Sequence, residues 1–196
     1  MKFHRQAHCA PHKLAIFPGA FNPPTVAHLA IAEAALSVVD QVLFVLPRAF
    51  PHKEYTGIGF DQRMELLLRA TAENPRFSVA SSERGLFIDL AREARTEYDA
   101  ALFLLCGRDA ADRIVGWDYG TEDNIEKQLQ EFCLLVASRA GGYTPPPQIC
   151  DRVRSLELSF GEISSSEVRR RIQAGERWQE LVPASIVELL QSRLDS

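Results

Sequence analysis

Four short runs in this chain are apolar almost throughout: Leu14–Phe17 (LAIF), Gln41–Leu46 (QVLFVL), Ala101–Cys106 (ALFLLC) and Phe132–Ala137 (FCLLVA). A strand with one wet face alternates apolar and polar residues, whereas one apolar along its length is covered on both faces. Between the runs, residues 26–38, 60–73, 87–97 and 122–130 read as helices, with a weaker strand at Phe77–Ala80. A last strand near Val153–Leu158 precedes helices at about 165–173 and 183–193. Buried strands separated by helices predict an α/β fold with a doubly wound parallel sheet and C-terminal helices. Ligands in such folds bind beyond the carboxyl ends of the strands, at the switch point.

The chain has 196 residues, enough for a core without disulfide or metal staples. Residues 1–12 are expected to be a flexible N-terminus and residues 13–196 a single domain. His4, His8, Cys9 and His12 lie in that N-terminal stretch. His4 and His8 have metal-ligand spacing only on a helix, and nothing nearby favours one, so fraying is expected. A net charge of −4 and a pI near 5.8 argue against a nucleic-acid partner. They leave room for a basic pocket that takes a small anion. No apolar run is long enough to cross a bilayer, and the N-terminus lacks the apolar core of a signal peptide. A cytoplasmic location without membrane association is expected, and a homo-oligomer is compatible with the sequence. The cysteines form no C-x-x-C; Cys106 and Cys133 sit in apolar runs and read as buried thiols.

The P-loop, the dinucleotide G-x-G-x-x-G and the G-x-S-x-G elbow are absent. The first strand instead runs into Pro18-Gly19-Ala20-Phe21-Asn22-Pro23-Pro24-Thr25-Val26-Ala27-His28. Thr25 suits an N-cap, with His28 one turn later on the same side. The pair is either a capped helix with a surface histidine or an anion cradle on a helix N-terminus. A second segment, Ile163-Ser164-Ser165-Ser166-Glu167-Val168-Arg169, contains an S-x-x-E capping box. Three hydroxyls followed by Arg169, Arg170 and Arg171 exceed what a cap needs and suit a polyphosphate. At least one of the three arginines is expected to do nothing specific.

These two segments resemble the (H/T)-x-G-H and I-S-S/T-T/S-x-x-R signatures of the nucleotidylyltransferase superfamily. Pro51-His52-Lys53, Gly107-Arg108-Asp109, Trp117 and Leu181-Val182-Pro183 are similar to segments of nicotinamide/nicotinate mononucleotide adenylyltransferases. The likeness spans roughly residues 13–190, with Ala27 standing where the signature has glycine. It implies transfer of the adenylyl group of ATP to a pyridine mononucleotide, in NAD biosynthesis, with Mg²⁺ held through the phosphates rather than by protein side chains. By the same resemblance His28, Thr25 and Arg169 are catalytic. Gly19, Phe21, Ser164, Ser165, Ser166, Gly107 and Asp109 bind ATP or its phosphates, and Lys53 and Trp117 bind the acceptor. Asp109 also suits an N-cap, and Trp117 suits core packing. Residues 86–90 (LFIDL) lack the Tyr-Thr…Thr pattern of many nicotinate-preferring members, which leaves nicotinamide against nicotinate open. Two alternatives remain: another phosphorylated acceptor such as phosphopantetheine, or CTP as donor; and a nucleotide-binding module without catalysis.

Overall fold

The computed structural model describes residues 1–49, 58–117, 124–138, 142–158 and 163–194. Its centre is a seven-stranded sheet. The strands are β1 (Lys2–Arg5), β2 (Lys13–Pro18), β3 (Gln41–Pro47), β4 (Phe77–Ser82), β5 (Ala101–Gly107), β6 (Cys133–Ser138) and β7 (Val153–Glu157). Their spatial order is β1-β4-β3-β2-β5-β6-β7, and every pairing is parallel except that of β1 with β4. The expected doubly wound parallel sheet is present, with an antiparallel edge strand added.

The apolar runs are buried for the reason their composition suggests. Along β2, Leu14 and Ile16 enter one core layer while Ala15 and Phe17 enter the other. On β3, Leu43 and Val45 oppose Val42, Phe44 and Leu46 in the same way. The first layer packs under α3 (Phe87–Arg95) and α4 (Arg108–Gly116); the second packs under α1 (Val26–Ala35) and α2 (Phe60–Ala70). A third cluster joins Leu66 of α2 to Val168 of α6 (Ser165–Gln173), to Trp178, and to Ile186 and Leu190 of α7 (Ala184–Leu194). The helix read at 122–130 is only the short α5 (Ile125–Gln128) within the described residues. Among the described residues no helix is long and apolar enough to cross a membrane.

The N-terminus corrects the sequence reading. Residues 2–5 are not frayed but form the edge strand, with Lys2 opposite Ser81 and Phe3 opposite Ala80. Side chains, which local propensity does not register, hold the segment. Arg5 donates to the Leu68 and Thr71 carbonyls at 3.0 and 2.7 Å, satisfying acceptors at the C-terminal end of α2. His4 Nε2 lies 3.0 Å from Ser81 Oγ, a side-chain tie between β1 and β4. The Ala7 N–H donates to Ser78 Oγ, Gln41 Nε2 to the Cys9 carbonyl, and the His12 and Lys13 N–H groups to Asp40.

Arg5→Met should destabilise the protein by about 1.5–3 kcal/mol, because charged hydrogen bonds to partly buried acceptors are lost together. Denaturant unfolding measures this; a loss under about 0.5 kcal/mol would mean that Arg5 does not tie the N-terminus to α2.

Candidate active site

A cleft of about 550 Å³ opens where β2, β5 and β6 end. It sits at the switch point, since β3 and β5 flank β2 on opposite sides. Its walls include Thr25 and His28, Gly107 and Arg108, and Ser164 and Ser165. These pairs begin α1, α4 and α6. Three helix N-termini therefore meet in one cavity. Each presents first-turn N–H groups without intrahelical partners and the positive end of a helix dipole. Their convergence makes the cleft an anion site.

Thr25 and His28 form a reciprocal cap. Thr25 Oγ1 accepts from the His28 N–H at 3.4 Å, and His28 Nδ1 accepts from the Thr25 N–H at 3.0 Å. Thr25 Oγ1 and His28 Nδ1 are 2.7 Å apart. Nδ1 is thereby an acceptor, which assigns the imidazole proton to Nε2. The ring packs edge-on against Phe21 and borders Phe17, with centroids 5.2 and 6.1 Å away. This desolvation lowers the His28 pKa to about 4, although part of the residue remains accessible on the cleft wall. His28 is thus a neutral donor at physiological pH, and the Thr25 hydroxyl orients it.

The loop before α1 is held from outside. Arg63 of α2, 3% exposed, donates to the Ala20 carbonyl at 2.9 Å. Arg169 of α6 donates to the Asn22 carbonyl at 2.7 Å, and Ser165 Oγ to the Pro23 carbonyl at 2.8 Å. Phe21, with φ 44°, occupies a backbone region unusual for a non-glycine. Its ring is buried against Phe17, Phe44 and His28. A Cβ on Gly19 would lie 2.7 Å from that ring, so glycine is required by packing. Gly19 and Phe21 lie outside the described cleft wall and shape the loop beneath it. Ala27, in the signature's glycine position, is part of the wall.

In the second signature the capping box is half formed. Ser164 Oγ accepts from the Glu167 N–H at 3.1 Å. The Glu167 carboxylate turns instead to Arg170 and Arg171, whose guanidinium groups hold its pKa down to about 2. Arg170 also meets Glu176, and Arg171 meets Glu180. Of the three arginines, only Arg169 reaches the first loop, and Ser166 accepts from its Nη2 at 3.2 Å. Asp109 is on the cleft wall in the first turn of α4, but the N-cap is Gly107 and no side chain caps that helix. Trp117 follows the end of α4, half exposed and outside the described wall. Lys53 lies outside the described residues. Cys106, next to the cleft, is buried, and burial raises its pKa to about 12, so it is no nucleophile. Sequence reading missed Arg63, Arg108 and Ser138. For Arg63 a signal existed: a charge beside Met64 and Leu67 on the apolar face of α2.

Residues 16–171 match a family model described as cytidylyltransferase-like. The probable nicotinate-nucleotide adenylyltransferase of Exiguobacterium sibiricum is 30% identical over 187 residues, covering 91% of this chain and 96% of its own. A protein of the same name from Thermus thermophilus is 33% identical, covering 89% and 94%. That from Solibacter usitatus is 35% identical, covering 88% and 93%. Plasmodium falciparum nicotinic acid mononucleotide adenylyltransferase complexed with NaAD shares the fold, with a TM-score of 0.69 at 17% identity over 93% of this chain and 97% of that one.

His28 carries a pH signature. The unfolded chain takes up its proton as pH falls below about 6.5, whereas the folded protein waits until about 4. Its contribution is complete above pH 6.5 and is withdrawn as pH falls towards 4, by about 3 kcal/mol in total. Between pH 7.5 and 4, His28→Asn should therefore lose less stability than the parent, by about that amount. Parallel pH profiles of the unfolding free energy would contradict a His28 held neutral by desolvation.

Proposed function

The chain belongs to the cytidylyltransferase-like family of nucleotidyltransferases, and on that premise we propose that it transfers the adenylyl group of ATP to a pyridine mononucleotide. The product is the dinucleotide and pyrophosphate leaves, a step in NAD biosynthesis. The observation that carries the reading is the meeting of three helix N-termini around a neutral His28 whose proton is on Nε2. The names of the relatives, at 30–35% identity over most of their length, support adenylyl transfer and favour nicotinate mononucleotide as acceptor.

An acceptor phosphate oxygen attacks the α-phosphorus and the bond to the pyrophosphate oxygen breaks; no protein nucleophile is required. The protein's part is to hold two anions in line and to meet the charge that develops. His28 donates Nε2–H to an α-phosphate oxygen. A neutral donor suits this task, because it need not be protonated at physiological pH. Thr25 acts through His28 as a positioning residue rather than as the direct phosphate ligand that the sequence suggested. The hydroxyl of Ser164 and the first N–H groups of α6 face the outer phosphates. Ser165 and Ser166 already have partners, in Pro23 and Arg169, and serve as anchors. Arg169 joins the first loop to α6 and offers its remaining donors to the phosphate chain.

The described cleft wall carries one carboxylate, Asp109, beside hydroxyl and amide groups. That donor set fits Mg²⁺ held mainly by phosphate oxygens and water, with Asp109 its one carboxylate neighbour. Bound there, the ion would offset phosphate charge. Trp117 is proposed as the flat face for the pyridine ring. The nine residues of α4 separate it from the anion end by about 13 Å along the axis.

The deciding assay incubates the protein with ATP or CTP and an acceptor panel, reading dinucleotide and pyrophosphate. Product is expected from ATP with nicotinate mononucleotide. Product only from phosphopantetheine, or only with CTP, would move the acceptor or donor assignment. Nucleotide binding without turnover on any acceptor would favour the non-catalytic module.

His28→Ala should lower kcat by about 10²–10³ with little change in ATP affinity, since its donor acts mainly on transition-state charge. Arg169→Ala should weaken ATP more than AMP, by about 1.5–3 kcal/mol. Arg170→Ala, which removes only exposed ion pairs, should be close to silent. Turnover measurements on His28→Ala, with calorimetric titration of all three variants, separate these outcomes; an equal loss of ATP and AMP by Arg169→Ala would take it off the outer phosphates.

A further inference from the structure

We propose that Arg108 is the counter-charge of the cleft, a binding residue that pairs with the phosphate chain of the donor nucleotide. The inference rests on the adenylyl-transfer reading and names a residue that neither signature contains.

Three observations carry it. Arg108 is the first residue of α4, directly after its N-cap Gly107. A cation there opposes the positive end of the helix dipole, so helix formation does not favour it. Asp109, the next residue, is the kind of side chain that position prefers. A residue that breaks a local rule without structural return points to function.

Charge gives the second observation. Among the described wall residues Arg108 is the one lysine or arginine, and Asp109 cancels it. His28 is neutral in the folded protein. A donor triphosphate brings several negative charges into this space. Of the second-signature arginines, Arg170 and Arg171 hold glutamates, and Arg169, outside the described wall, divides its donors between the Asn22 carbonyl, Ser166 and the phosphate chain.

The third concerns availability. Arg108 is exposed on the wall, and among the described residues its guanidinium makes no hydrogen bond or ion pair, its charge being felt at a distance by Tyr143. Its five donors are open to phosphate oxygens, where a guanidinium binds in bidentate fashion. The side chain stands beyond β5, across the switch point from Thr25 and His28 on α1. The phosphate chain would run between them.

Arg108→Gln and Arg108→Lys test this by direct binding, which needs no acceptor and so survives a change in acceptor assignment. ATP affinity should fall about 10–100-fold in Arg108→Gln, and adenosine, titrated as a competitor, should bind as in the parent. Arg108→Lys should recover part of the loss. The ATP affinity of Arg108→Gln should also depend less on salt. Removing a cation from a helix start should leave the unfolding midpoint unchanged or raise it, which separates a binding role from a structural one. Unchanged ATP affinity, or equal losses for ATP and adenosine, would overturn the proposal. If the parent binds ATP in this way but forms no dinucleotide with any acceptor, the adenylyl-transfer reading fails and the Arg108 assignment stands.

Discussion

Three main-chain carbonyls in the loop after β2 accept from side chains distant in sequence, and the site depends on those bonds. Arg63 holds Ala20, Arg169 holds Asn22 and Ser165 holds Pro23. A buried carbonyl without a donor, or a buried guanidinium without an acceptor, would cost more than these bonds return if either partner were removed. The loop, α2 and α6 are therefore stable together or not at all. The dependence reaches outward: α2 is held at its C-terminal end by Arg5 and along its face by α7, where Arg193 donates to the Gln62 carbonyl. An edge strand and a C-terminal helix far from the chemistry thus bear on where Thr25 and His28 stand.

With the loop set, electrostatics follow from topology. The right-handed crossovers of a doubly wound sheet bring helix N-termini to the carboxyl edge, and the switch point leaves a gap between them. Here α1, α4 and α6 all start at that gap. The backbone part of the field for anions has no dependence on titration near neutrality. His28 belongs to the same scheme: aromatic burial keeps it uncharged, and the reciprocal cap fixes which nitrogen donates.

Much of this was legible because two patterns are local. Strand runs apolar along their length signalled a covered parallel sheet, and the four read that way are β2, β3, β5 and β6. Thr25 and Ser164 were recognisable as caps from residue type and position alone. The misreadings share one cause, a partner distant in sequence. Residues 1–12 looked frayed because Arg5, Gln41, Ser78 and Asp40 act across tens of residues. The burial of Phe21 against Phe44, which in turn packs on Phe77, was not legible because it is a property of the assembled sheet. The bond from Ser165 to the Pro23 carbonyl was equally hidden, because its partner is 142 positions away.

The sequence by itself determined the sheet class, the order of its elements and the two segments that open helices at the site. Those follow from hydrophobic period, capping chemistry and turn residues, all of which act within a few positions. Only the tertiary structure decided which of the neighbouring hydroxyls and arginines are anchors and which stay available. Arg169 crosses to the first loop while Arg170 and Arg171 turn to glutamates, although the three are consecutive. Successive residues on a helix project about 100° apart, so adjacent side chains of one type meet different surroundings, and those surroundings exist only once α6 has docked.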